Sequence, residues 1–127
     1  MILQADARAI PLNDQSVQCV VTSPPYWGLR DYGLGLDALG LEPTPDLYVQ
    51  HLVEIFHEVW RVLRDDGTVW LNLGDCYTAN RSYQVPSTKG GPKHSPAQGQ
   101  QSSNTVPPGL KPKDLIGIPW RVAFALQ

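Results

Sequence analysis

The sequence predicts an α/β fold with a mainly parallel sheet. Three observations carry this: a β-branched run that stops at a Pro-Pro pair, an amphipathic helical stretch, and a second β-branched run directly after it. Strand, helix and strand joined by a crossover of this length imply parallel pairing, since antiparallel neighbours need only a short turn. With 127 residues, 42% hydrophobic and 17% charged, the chain has the make-up of a folded protein and room for one domain.

Met1 to Ala7 is short and apolar enough for a first strand, and Pro11 to Gln15 is a polar break. Val17-Gln18-Cys19-Val20-Val21 reads as a buried strand, because β-branched residues dominate it and Pro24-Pro25 cannot continue a central ladder. Residues 28–43 carry Gly28, Gly33, Gly35 and Gly40 and read as loop. Thr44-Pro45-Asp46 then offers an N-cap, a proline for the first turn and an acid for the positive end of a helix. Val49, Leu52, Val53, Phe56, Val59, Trp60 and Leu63 follow helical spacing, with His51, Glu54, Glu58 and Arg61 opposite. Arg61 and Arg64 suit the C-terminal end, and Asp65-Asp66-Gly67 closes it. Thr68-Val69-Trp70-Leu71-Asn72-Leu73 is the next strand.

Residues 78–112 hold six prolines, much Ser, Gln and Gly, and no apolar periodicity, so they are expected to form a flexible basic loop within the domain. Arg81, Lys89, Lys93 and Lys111 give this loop a charge of +4 with no acid. The net charge of -2 therefore conceals an acidic body, with six cations against twelve anions. Lys113 to Gln127 resumes an apolar pattern, a helix with Pro119 in its first turn.

Several classes fall away. No run approaches the roughly 20 apolar residues of a bilayer span, and the N-terminus lacks a signal-peptide layout, so a soluble, cytoplasmic protein is expected. The charge balance excludes a uniformly basic nucleic-acid module. Cys19 and Cys76 are too distant for a Cys-x-x-Cys motif and read as small core residues. His51, His57 and His94 share no metal-ligand spacing, and no metal is assigned.

The sharpest feature is Thr22-Ser23-Pro24-Pro25-Tyr26-Trp27, at the carboxyl end of the buried strand, where open parallel sheets place their ligands. Two prolines stiffen the turn, Ser23 offers a hydroxyl and Pro24 a carbonyl, and Tyr26 and Trp27 offer flat faces. An exocyclic amino group of a nucleobase is a poor nucleophile, because its lone pair is delocalised into the ring. Two acceptors holding its hydrogens can turn that lone pair toward an electrophile. An adjacent aromatic ring can stack on a base that has left the duplex. The same residues would also serve a plain turn closing a strand, with the aromatics packed as core.

Thr22 to Trp27 resembles motif IV of the amino-methylating DNA methyltransferases, in the Ser-Pro-Pro-Tyr form associated with cytosine-N4 enzymes; adenine-N6 enzymes more often have Asp-Pro-Pro-Tyr. The segment order resembles the β-class, in which the catalytic motif precedes the cofactor motif. Asp66-Gly67-Thr68-Val69-Trp70-Leu71-Asn72-Leu73-Gly74-Asp75 is similar to that family's next strand, and Lys111 to Arg121 to the helix after it. The resemblance implies a partial Rossmann-like methyltransferase fold over residues 1–127, with S-adenosylmethionine as methyl donor and DNA as substrate. It implies direct transfer, with Ser23 and the Pro24 carbonyl holding the amino group, Pro25 keeping the turn rigid and Tyr26 stacking on the flipped base. Trp27, Lys89 and Lys93 become substrate contacts, the lysines toward phosphate. Asp6 falls where the family places a polar group near the cofactor adenine, and Asp75 either borders that pocket or shapes a turn. Cys19, inside a strand, has no place in such a mechanism, which argues against a cytosine-C5 enzyme.

One departure accompanies the resemblance. The family's Phe-x-Gly-x-Gly cofactor loop is absent from these residues. Gly33-Leu34-Gly35-Leu36-Asp37-Ala38 has a fingerprint's spacing, but no strand leads into it. The chain therefore reads as a catalytic-half fragment, to be completed by a missing C-terminal region or a second polypeptide. The rival readings are an adenine-N6 enzyme, a relative acting on RNA or protein, and a non-catalytic nucleic-acid-binding remnant.

Overall fold

A computed structural model describes residues 2–29, 38–78 and 106–127. The Gly33 and Gly35 pair and most of the basic segment, with Arg81, Lys89 and Lys93, lie outside the described residues. The elements run β1 (Val17–Thr22), α1 (Pro45–Val62), β2 (Leu63–Leu71) and α2 (Ile118–Ala125). β1 and β2 pair in parallel, and among the described residues they make one two-stranded sheet. The parallel α/β expectation is met, although two strands do not define a Rossmann-like order.

α1 starts where its local chemistry dictates. Thr44 Oγ1 accepts from the Leu47 N–H at 3.2 Å, Pro45 stands in the first turn and Asp46 follows. The buried face is Pro45, Tyr48, Leu52, Phe56, Val59 and Val62, rotated from the expected stripe. Leu52, Phe56 and Val59 are common to both, but Trp60 is 78% exposed and Tyr48 is fully buried. Against this face pack Ile116, Ile118 and Val122, the last two from α2. Each such side chain contributes about 1.5–3 kcal/mol on full burial, so the seam between the helices is the main apolar anchor.

Other expectations need correction. Residues 2–10 form no strand: Asp6 accepts from the Arg8 backbone N–H at 2.9 Å and Ala9 N bonds Asp6 O, making a turn instead of a ladder. β2 begins directly after α1, so Asp65-Asp66-Gly67 is not a terminating turn. The register jumps from Val17 beside Leu63 to Cys19 beside Thr68, and the four residues between are accommodated as a bulge. Cys19 is exposed, not core, whereas Cys76 packs against the core as expected. The alternation of a strand explains this. Val20 and Leu71 meet the core, which turns Cys19, Val21 and Trp70 to the opposite face, where Val21 is 78% and Trp70 66% exposed.

Both undescribed stretches leave and return through paired ends. Gly28 N donates to Gly40 O at 2.7 Å around the first. Around the second, Tyr77 bridges Leu115, and Ile116 N donates to Cys76 O at 2.9 Å. Among the described residues no helix is long and apolar enough to cross a membrane.

Candidate active site

Ser23 follows directly on β1, and the neighbouring strand fixes its base: Asn72 N donates to Thr22 O at 2.9 Å, extending the ladder one residue past β2. The prolines then turn the chain so that Tyr26 comes back beside Asn72, whose Nδ2 donates to Tyr26 Oη at 3.2 Å. Ser23 Oγ lies 3.4 Å from the same oxygen. Ser23, Tyr26 and the end of β2 thus form one cluster.

Beneath the loop lies a set of neutral tethers. The Tyr48 hydroxyl donates to the Pro25 carbonyl at 2.8 Å. Burial, reinforced by the charge of nearby Glu42, pushes this phenol above its ordinary pKa, so it stays a donor at any physiological pH. Among the described residues nothing donates to the Pro24 carbonyl. Of the two proline carbonyls, that of Pro25 is tied to the core. Trp27 packs against the core and its Nε1 donates to Glu42 O at 2.9 Å, so this indole anchors the loop.

Glu42 is itself a buried acid, with its side chain only 3% exposed. It is satisfied by Gly40 N and by His51 Nδ1, each at 2.9 Å, as a buried polar group requires. Two glycines make the approach possible. At Gly40, with φ +97°, a Cβ would lie 3.0 Å from Tyr26 O. At Gly74 a Cβ would lie 2.6 Å from Tyr26 Cδ2 and 2.7 Å from Cε2, so the ring rests directly on the backbone after β2.

The residues expected on the cofactor side are placed differently. Asp6 is exposed, and hydrogen bonds from Arg8 hold its carboxyl down, at about 2. Asp75 Oδ1 accepts from Cys76 N at 2.9 Å and from Gly117 N and Ile118 N at 3.0 Å. It caps α2, whose own N-cap, Gly117, has no side chain to do so. Of the two expectations for Asp75, the turn-shaping one describes its contacts. Lys89 and Lys93 lie outside the described residues. Tyr48 and Asn72 were not singled out from sequence; a Tyr in register with Leu52, Phe56 and Val59 was the signal for the first.

The arrangement defines a class: an α/β protein whose strand-end loop sets a hydroxyl beside an aromatic ring at the carboxyl end of a parallel strand. The chain belongs to the DNA methylase family, whose model matches residues 17–116. It is similar to the Type II methyltransferase M.XycI of Xanthomonas campestris pv. cyanopsidis, with 58% identity over 129 residues, covering 99% of this chain and 41% of that protein. It is also similar to M.Cfr9I of Citrobacter freundii, at 51% identity with 99% and 41% covered. M.SmaI of Serratia marcescens, another Type II methyltransferase, is 47% identical, with 99% and 42% covered. The chain thus spans about two fifths of the length of these relatives. No solved structure matches it.

Proposed function

We propose that this chain is the base-holding part of a DNA amino-methyltransferase of partial Rossmann-like fold, acting on cytosine N4. The observation that carries the reading is the Tyr48 hydrogen bond to the Pro25 carbonyl, which ties down the loop on which Ser23 and Pro24 would act together. Two acceptors converging on an NH₂ group take both hydrogens and turn its lone pair out of conjugation. Tyr26, half-buried on Gly74, offers a supported ring on which an extruded base can stack. A neutral Ser in place of the acid more common in adenine enzymes favours cytosine.

S-adenosylmethionine is the donor this family implies, and its contribution when bound is an electrophilic methyl group. The two acids considered for its side are both engaged, Asp6 by Arg8 and Asp75 by three backbone N–H groups. The described residues therefore do not fit the donor on their own. We place donor binding in the region that completes the relatives' length, and assign this chain the nitrogen side alone. Lys89 and Lys93, with Lys111, are proposed as phosphate contacts.

The test is a chimera in which residues 1–127 replace the matched segment of M.XycI, supplied with radiolabelled S-adenosylmethionine and unmethylated phage DNA. The expected product is N4-methylcytosine after digestion to nucleosides. N6-methyladenine would reassign the base, and no methylated nucleoside would overturn the reading. In the same chimera, replacing Lys89, Lys93 and Lys111 by Ala is expected to flatten the salt dependence of DNA binding; an unchanged slope removes the phosphate role.

A further inference from the structure

An acceptor for a substrate's amino hydrogens must keep its own hydrogen out of the way. A carboxylate meets this by having none, whereas Ser23 has one hydrogen and two lone pairs. Ser23 Oγ lies 3.4 Å from Tyr26 Oη, within reach for either hydroxyl to donate to the other. The phenol oxygen also accepts from Asn72 Nδ2, an amide nitrogen that can only donate, at 3.2 Å. With Asn72 donating to Tyr26 Oη, a remaining phenol lone pair can take the Ser23 hydrogen while the phenol hydrogen points to solvent, and in that arrangement both Ser23 lone pairs are left for another partner.

Asn72 owes its position to the sheet. Its backbone N–H bonds Thr22 O, next to Ser23, so the residue that reaches Tyr26 is in register with the strand that carries the loop. Gly74, two residues on, limits the ring from below, where a Cβ would lie 2.6 Å away. Ring height and hydroxyl position are thus set by one short stretch after β2.

We propose that Asn72 is a positioning residue acting through Tyr26: it fixes Tyr26 Oη, which takes the Ser23 hydrogen so that the Ser23 lone pairs face the target amino group. This inference rests on the amino-transfer reading above. It gives the Tyr26 hydroxyl a role separate from the stacking of its ring.

The experiment uses the same M.XycI chimera and phage DNA. Tyr26→Phe keeps the ring and removes the hydroxyl, so kcat is expected to fall several-fold to about tenfold while KM for DNA holds, the scale of one hydrogen bond at the reacting group. Asn72→Asp keeps shape and removes the donor, and is expected to lower kcat in the same way. The double variant should be no slower than Tyr26→Phe alone, because both changes interrupt one path. A merely structural Asn72 would give additive losses. Additive losses, or a Tyr26→Phe enzyme with the parent's kcat, overturn the inference while leaving the methyl-transfer reading intact. A parent chimera without activity overturns both.

Discussion

The two ends of the parallel sheet are held by different physics. At the carboxyl end the Ser23–Tyr26 loop is fixed by neutral hydrogen bonds from Tyr48, Asn72 and Trp27 and by close approach to Gly40 and Gly74. At the other end, charges in water do the fastening. Arg61 reaches Glu58 at 2.8 Å, Asp14 at 2.6 Å and the carbonyls of Ile10 and Leu12, while Arg64 pairs with Asp66. Neutral hydrogen bonds do not titrate and respond little to salt, whereas solvent-facing ion pairs contribute about 0–1 kcal/mol each and weaken with salt and with pH. The loop around Ser23 thereby depends less on charge than the far end does, with the Glu42–His51 contact beneath it as its ionisable pair among the described residues.

The most severe way to break this contrast is Gly74→Ala. The new methyl carbon would sit 2.6 Å from the Tyr26 ring, so ring or strand must move. Overpacking of this kind costs about 1–3 kcal/mol, and a displaced ring misplaces both the stacking face and the hydroxyl. Methyl transfer by the chimera should fall by more than about tenfold, since small misplacements at a reacting group are costly in rate. Activity within about twofold of the parent would show that the ring is not confined as described.

Tyr48→Phe should have the next largest effect. It preserves the packing of a fully buried ring and leaves the Pro25 carbonyl without its donor, at a cost of about 1–3 kcal/mol. Thermal unfolding in low salt and in about 1 M salt sharpens the comparison. The deficit should be the same in both, because no charge is involved; a deficit that shrinks with salt would mean that the tether works through Glu42 instead.

How much of this was legible in the sequence depends on how local each cause is. The Pro-Pro loop, the start of α1 at Thr44-Pro45 and the first turn of α2 at Pro119 follow from residues within a few positions of each other, and each stands where expected. Trp60 and Tyr48 exchanged places because periodicity alone does not choose between adjacent stripes. Tyr48 can be buried because its hydroxyl has a partner 23 residues away, and that partner is invisible to a helical wheel. The strand expected over residues 1–7 failed for the same kind of reason: its apolar residues were read correctly, but a strand needs a neighbour, and Asp6 had a local turn to make with Arg8. Asp75 caps a helix 42 residues downstream, and Asn72 meets Tyr26 across 46. Such pairings come from the register of the sheet, which also absorbs Asp65-Asp66-Gly67 as a bulge where the sequence suggested an ending.

The smallest effect is also the one that isolates the charged end. Glu58 accepts from Arg61 and from the Ile10 N–H at 3.1 Å, and hydrogen bonding to Arg61, then to that amide, holds its carboxyl below the ordinary value. A carboxyl whose folded-state pKa is depressed stabilises fully above its unfolded-state value and loses that contribution as pH falls through the folded-state one. The arm formed by residues 10–16 should therefore loosen on acidification below the ordinary carboxylate range, between about pH 4 and more acidic values, while the site does not. Amide exchange resolves the two: protection of the Ile10 N–H should drop there and also in about 1 M salt, and that of the Asn72 N–H, bonded to Thr22 O, should hold. Parallel loss at both amides would mean that the arm and the Ser23 loop open as one unit, and the division between the two ends of the sheet would fall.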